Sequence, residues 1–326
     1  MRALVLAAGL GTRLRPLTLA RAKAAAPVDG EPLVRRTIRW LTDQGLRDLV
    51  VNLHHKPETI TAVVGDGSDL GARVRYSWES PVLGSAGGPR HALPLLLASA
   101  PTSGDAAGFA TSTPGGRGGT CVLVNGDTLT TVDLAAMIDQ HRRSGADVTM
   151  ALIPNPRPDK YGSVLLDADH AVTGFTRRGA EGFHFIGPQV IEADAFMSLP
   201  DGVPSETVLG LYPQLIARRR GSVMGFVSDA AFHDIGTPGD LLQTSLQLAE
   251  RDGRPGQPRW GRNVTVAPSA AVSRSVLWDD VTVGEGARIE ECVLADGVSI
   301  PDGAAYTRCA IASDAGVLVV AKLDGV

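Results

Sequence analysis

Over the first 250 residues, short unbroken apolar runs take turns with longer stretches in which apolar positions recur at the helical period. Ala3 to Ala8 is a continuous apolar run of strand length, the pattern of a central parallel strand covered on both faces, and Leu49 to Leu53, Val74 to Trp78, Cys121 to Val124 and Val148 to Ile153 are further apolar strand-like runs. Leu33 to Gln44 and Leu134 to Ser144 place their apolar residues on one helical stripe. This alternation predicts an α/β domain, with a mostly parallel sheet and helices on both faces.

Beyond Val264 the pattern changes. Three 17-residue units can be aligned, Val264–Asp280, Val281–Gly297 and Val298–Asp314. Within them Val266 and Val272, or Val283 and Ile289, stand six apart with small residues between. That spacing resembles the hexapeptide repeat of left-handed parallel β-helices, in which stacked coils bury a column of aliphatic side chains. The tail, residues 260–326, is therefore expected to form a short left-handed β-helix of about three coils. Ser275, Cys292 and Cys309 fall in one column and are expected to stack as small interior residues, not as a redox pair. Three coils leave an apolar end, which suggests a capping contact or an oligomer contact, and a homo-oligomer is expected. Between Ser99 and Thr120 almost every residue is Gly, Ala, Ser, Thr or Pro, and a flexible surface insertion is predicted.

Composition narrows the function classes. The 326 residues are 44% apolar with a formal charge of −4, so no basic excess points to nucleic acid. No apolar span approaches the roughly 18 residues that a membrane helix needs. The first apolar run stops at Leu10, before Gly11, Thr12 and two arginines, and reads as a strand, not a leader. Three cysteines without metal-ligand spacing suit a reducing cytoplasm.

The candidate chemistry starts where that strand ends. Gly9 and Gly11 allow backbone N–H groups to approach a polyphosphate, and Arg13, Arg15 and Lys23 supply positive charge. A dinucleotide fingerprint is excluded because its third glycine would fall at Leu14, and the Gly-Lys-Ser/Thr of a Walker loop is absent. From Leu6 to Thr18 the chain instead resembles, without a gap, the Leu-Ala-Ala-Gly-x-Gly-Thr-Arg-Leu-x-Pro-Leu-Thr signature of sugar-1-phosphate nucleotidyltransferases. Further segments follow in that family's order: Glu79 to Gly88 around Leu-Gly-Ser-Ala-Gly, Cys121 to Asp127 ending in Asn-Gly-Asp, Tyr161-Gly162, Phe185-Ile-Gly187, and Asp234-Ile-Gly-Thr-Pro238. Two departures stand out. The family's Pro-Lys is Ala22-Lys23 here, and its Glu-Lys sugar-site pair is replaced by Thr176-Arg177-Arg178.

The resemblance, spanning roughly Met1 to Leu248, implies a Rossmann-like catalytic domain over residues 1–250. It implies in-line attack of a sugar 1-phosphate oxygen on the α-phosphorus of a nucleoside triphosphate, with pyrophosphate leaving. Such a reaction rests on positioning and charge neutralisation. Arg13 would meet the β- and γ-phosphates and Lys23 the α-phosphate. Asp127 and Asp234 would hold Mg²⁺, which takes one or two protein carboxylates. Leu6, Ala8, Gly9, Gly11, Thr12, Gly84, Ser85, Ala86, Gly87 and Gly126 would contact the nucleotide. Gly162, Arg177 and Gly187 would contact the sugar phosphate.

The resemblance favours GTP and a mannose- or heptose-type 1-phosphate. The Gly-Gly after Ala86 and the Ala92 to Leu96 run also resemble muramic-acid-type uridylyltransferases, so UTP stays open. A weakly active regulatory homologue that binds nucleotide sugar is the alternative of another class. An acyltransferase role for the tail is set aside, because no histidine follows His233.

Overall fold

The computed structural model describes residues 1–98 and 119–323, so the insertion expected between Ser99 and Thr120 lies, apart from its last two residues, outside the described residues. The chain gathers into two compact units. Met1–Gly9, Thr37–His54 and Val64–Phe232 form the first, and Leu10–Arg36, His55–Val63 and His233–Val326 form the second.

The first unit is built on a nine-stranded sheet. Its strands are β1 (Arg2–Leu6), β2 (Asp48–Leu53), β3 (Arg73–Trp78), β4 (Thr120–Asn125), β5 (Val148–Pro154), β6 (Val164–Leu166), β7 (Val172–Phe175), β8 (Phe183–Glu192) and β9 (Val223–Val227). Neighbours β3, β2, β1 and β4 run parallel in that spatial order. The remaining strands add a mixed flank: β8 is antiparallel to β4, β5 and β6, β6 is antiparallel to β7, and β9 runs parallel to β5.

The unbroken apolar runs are explained by burial on both sides. Leu4, Val50 and Leu123 pack in a core with Leu93 and Leu96 from the helix Gly84–Leu97 and with Phe196 and Tyr212. Their strand neighbours Ala3, Val5, Leu49, Val51 and Val122, which point to the other face, are equally buried. One boundary differs from expectation: β1 ends at Leu6, not Ala8. Ala7 and Ala8 donate their N–H groups to the Asn52 side chain, 2.5 and 3.2 Å away, and so leave the strand ladder.

In the second unit the tail forms the expected coils, as three narrow parallel sheets. Thr265–Val266, Thr282–Val283 and Ser299–Ile300 form one. Ala271–Ser273, Arg288–Glu290 and Ala305–Thr307 form another. In the third, Val276–Leu277, Val293–Leu294 and Cys309–Asp314 are followed by an antiparallel strand, Val317–Lys322, that the repeat did not announce. Paired residues are 17 apart, the length of the repeat, so each coil rests on the next through its backbone.

The corners need left-handed backbone, and non-glycine residues adopt it at Arg274, Glu291 and Arg308, with φ of 47°, 50° and 53°. These three also form an ion-pair ladder, Arg274 to Glu291 at 3.0 Å and Arg308 to Glu291 at 3.3 Å. Ser275, Cys292 and Cys309 are buried in one column, and both cysteines are unbridged.

Candidate active site

Strand order alone marks where a ligand belongs in the first unit. The chain builds outward from β1 through β2 to β3, then returns to place β4 on the other side of β1. Open α/β sheets bind ligands outside the carboxyl ends of the strands at such a reversal. Leu6 and Asn125 are paired there, and the Gly126 N–H donates to the Leu6 carbonyl at 2.9 Å. A Cβ at position 126 would stand 2.7 Å from that carbonyl oxygen, so this close approach requires glycine. Half-buried Asp127 follows at once. Gly9 presents an open face, with nothing within 4 Å of a Cβ placed on it.

A buried polar relay supports this end of the sheet. Asn52, on β2, accepts from Ala7 and Ala8 through Oδ1 and donates through Nδ2 to Glu79 Oε1 at 2.6 Å. Glu79 Oε2 accepts the Leu83 N–H at 2.8 Å. Sequence reasoning missed both residues as site supports. The available signal was Asn52 itself, a polar residue inside an apolar strand run.

Gly84, Ser85, Ala86 and Gly87 form the first turn of the helix Gly84–Leu97, whose glycines and prolines had concealed it. Ala86 and Gly87 donate to the Ser205 carbonyl, and the Ser85 hydroxyl donates to Glu206 at 2.5 Å. A Cβ on Gly84 would fall 2.6 Å from the Glu206 carboxylate, and one on Gly87 would fall 2.7 Å from the Val203 carbonyl. These glycines therefore let the 203–206 segment approach; Glu206 is the third support missed from sequence.

The residues expected on the sugar side fall into two groups. Gly187, at φ +111°, lies against Asn125 and Thr128, on either side of Gly126 and Asp127. Gly162 lies against the Thr176 carbonyl, beside the backbone of Arg177, whose side chain is exposed. Next to Gly162, Tyr161 stacks on His184 with centroids 4.1 Å apart, and Phe232 meets the same imidazole edge-on at 4.9 Å. Burial, with a smaller push from the Lys160 charge, lowers the His184 pKa to about 4 against a hydrogen bond to the Gly162 backbone.

The second unit carries the cations. Gly11, at φ +63°, opens a single turn Thr12–Leu14 that buries Leu14 and leaves Thr12 and Arg13 exposed. A Cβ on Gly11 would meet Thr18 Cγ2 at 2.8 Å and Lys23 Cβ at 3.1 Å, so the glycine seats the loop directly on the lysine segment. The Asp234 to Pro238 motif is a helix start. Thr237 and Asp240 form a reciprocal capping box, and Pro238 takes the first position of the helix Pro238–Arg251. The cap is thus Thr237, and Asp234 stands outside it. Arg13 and Asp234 both face Gly236, where a Cβ would be 3.2 Å from the guanidinium and 3.1 Å from the carboxylate.

A parallel sheet with a Gly-rich loop and a carboxylate at its reversal point is a nucleotide-binding α/β architecture. Residues 2–251 match the nucleotidyl transferase family, and residues 260–315 match the GlmU-like C-terminal hexapeptide family. The chain belongs to the nucleotidyl transferase family. It is similar to mannose-1-phosphate guanylyltransferase of Mycobacterium tuberculosis, 30% identical over 249 residues that cover 76% of this chain and 64% of that protein, so it spans less than two thirds of that relative's length. D-glycero-alpha-D-manno-heptose 1-phosphate guanylyltransferase of Aneurinibacillus thermoaerophilus is 29% identical over 255 residues, covering 76% of this chain and 98% of that one. The fold is shared with HddC from Yersinia pseudotuberculosis complexed with GMP-PN, at a TM-score of 0.60 and 22% identity over 76% of this chain and 99% of that one.

Proposed function

We propose that the protein transfers GMP from GTP to a mannose- or heptose-type 1-phosphate, forming a GDP-sugar and releasing pyrophosphate. The observation that carries the reading is the reversal point of the sheet, where the end of β1, Gly126 and Asp127 meet. The choice of guanine follows the two relatives named above, both guanylyltransferases. Arg13 meets the triphosphate with a planar fork and Lys23 adds a point charge. Leu6, Ala8, Gly9, Gly11, Thr12, Ser85 and Gly126 line the nucleotide's path, and Gly162, Arg177 and Gly187 receive the sugar phosphate.

A divalent cation such as Mg²⁺ suits the chemistry of the donors, since Asp127 and Asp234 each offer hard carboxylate oxygens. When bound, it would neutralise charge on the transferring phosphoryl group. Among the described residues no group of three or more His, Cys, Asp or Glu side chains is placed to hold a metal, and Mg²⁺, which takes one or two protein carboxylates with phosphate and water completing its shell, does not require such a group. A homo-oligomer acting in the cytoplasm belongs to the same reading. Among the described residues no helix is long and apolar enough to cross a membrane.

The test is pyrophosphate release with Mg²⁺ from GTP, UTP, ATP, CTP or dTTP against hexose, heptose and amino-sugar 1-phosphates. GTP with a mannose or heptose 1-phosphate is the expected pair, and Asp127→Asn should lower its turnover at least about 100-fold with the fold intact. Productive UTP would move the reading to a uridylyltransferase. No turnover with nucleotide sugar still bound would favour the regulatory homologue, in line with the missing Glu-Lys pair.

A further inference from the structure

Lys23 sits in a segment whose local rigidity has to come from somewhere. In the signature the chain resembles, a proline precedes this lysine; here Ala22 does. Ala22 is fully buried and holds φ at −56°, the value a proline ring would impose, and its N–H donates to Thr59 Oγ1 at 3.1 Å. Ala24, Ala25 and Ala26 are buried behind it.

The residue before Ala22 is clamped by the tail. Arg21 donates through Nε and NH2 to the two oxygens of Asp296, at 2.5 and 2.7 Å, and through NH2 to Asp279 at 2.8 Å. Asp279 and Asp296 are 17 residues apart, equivalent positions on successive coils. They are themselves linked, because the Asp279 N–H donates to Asp296 Oδ1 at 3.1 Å. The Arg21 guanidinium also lies 5.9 Å from the ring of buried Trp278. Partial burial alone would raise the Asp279 carboxyl, but hydrogen bonds from Arg262 and Arg21 outweigh it and hold the pKa at about 2. With the Arg21 and Asp279 side chains each only 13% exposed, this is not a solvated surface pair.

The same segment is fixed twice more within the second unit. The strand Cys309–Asp314 lies against the turn Leu17–Leu19. Buried Asp29 is held by Arg254 at 2.7 Å and by the Arg259 N–H at 2.7 Å.

We propose that the C-terminal coils hold the Lys23 segment in its nucleotide-binding conformation through Arg21, which thereby replaces the absent proline as a positioning residue. The line of force runs from Asp279 and Asp296 through Arg21 and Ala22 to Lys23, and from Lys23 to Gly11, which packs on it. The tail is then part of the triphosphate grip as well as a surface for association. This rests on the reading of Lys23 and Arg13 as phosphate ligands.

The test uses the full chain and measures the GTP dissociation constant by calorimetry with Mg²⁺, so that it does not depend on turnover, together with separate KM values for GTP and the sugar phosphate. Arg21→Ala should weaken GTP about 10- to 100-fold and leave the sugar-phosphate KM within about twofold, because the lost order lies on the triphosphate side. Asp296→Asn, which keeps the corner's shape, should give a smaller loss of the same kind and serves if Arg21→Ala fails to fold. Wild-type GTP affinity in both Arg21→Ala and Asp296→Asn would overturn the proposal. So would equal weakening of both substrates, which is the mark of a general structural role. A wild-type chain that binds GTP but turns over no sugar phosphate would refute the transfer reaction and leave the clamp to be judged on GTP affinity alone.

Discussion

Removing the Asn52 side chain should reveal how much of the site's order depends on one buried amide. Asn52 is 3% exposed and Glu79 is 1% exposed, so water does not replace either partner without rearrangement. In Asn52→Ala the Ala7 and Ala8 N–H groups lose their acceptor, and one lobe of the Glu79 carboxylate loses its donor. Each orphaned group costs about 1–3 kcal/mol, and the small cavity admits some water, so a total of about 3–5 kcal/mol is expected. For a cooperative body of this size that is a fall of roughly 6–20 °C in melting temperature. The assay is urea denaturation with a parallel thermal scan at pH 7. Asn52→Asp provides the contrast, because it sets two carboxyls where Asn52 and Glu79 now meet at 2.6 Å. One of the pair must keep its proton, so its folded pKa is raised above the unfolded value near 4. The stability tied to that proton is present at low pH and lost as pH rises through the raised pKa. The Asn52→Asp deficit should therefore deepen from pH 4 to pH 7, while that of Asn52→Ala stays nearly flat. A loss below about 1 kcal/mol in Asn52→Ala, or a deficit in Asn52→Asp that does not change with pH, would refute the relay.

Two further expectations concern other parts of the first unit. His184 has its pKa lowered from 6.5 to about 4, so its contribution is present above pH 6.5 and lost as pH falls toward 4. Allowing for its partial exposure, the wild type should lose about 2 kcal/mol through this residue between pH 7.5 and 4, and His184→Phe should show a shallower acid limb in denaturation curves at the two pH values. Gly126→Ala places a methyl 2.7 Å from the Leu6 carbonyl oxygen and should cost about 2–3 kcal/mol, with turnover falling more than stability because Asp127 shifts with it. A stable, fully active Gly126→Ala enzyme would mean that β1 and the Asn125–Asp127 turn need not approach so closely.

The parts legible in the sequence were those with a period or a fixed spacing. The apolar runs gave the parallel strands to within a residue or two, and the 17-residue repeat gave the pairing of the coils. What escaped detection had no period. The helix Gly84–Leu97 holds three glycines and two prolines, a composition that reads as loop, and it is stabilised from outside by Glu79, Ser205 and Glu206. The mixed flank of the sheet uses strands as short as Val164–Leu166, too brief to show alternation. The Asn52 relay and the Arg21 clamp join residues 45 and 275 positions apart, and only a fold brings such partners together.

The signature Leu6 to Thr18 reads as one motif but is held by two kinds of force. Leu6 to Gly9 belongs with the sheet, and its order comes from neutral backbone donors on a buried amide. Leu10 to Lys23 belongs with the C-terminal tail, and its order comes from an arginine shared between two coil aspartates. The first arrangement tolerates little change in shape, because a buried amide has fixed donors and acceptors. The second tolerates change in shape better than change in charge, because either aspartate alone still attracts the guanidinium. Substitutions in the tail that keep the charges at 279 and 296 should thus leave the lysine segment in place however far the rest of the coil surface varies. Neutralising both should be felt 258 and 275 positions away at Arg21, at the other end of the sequence.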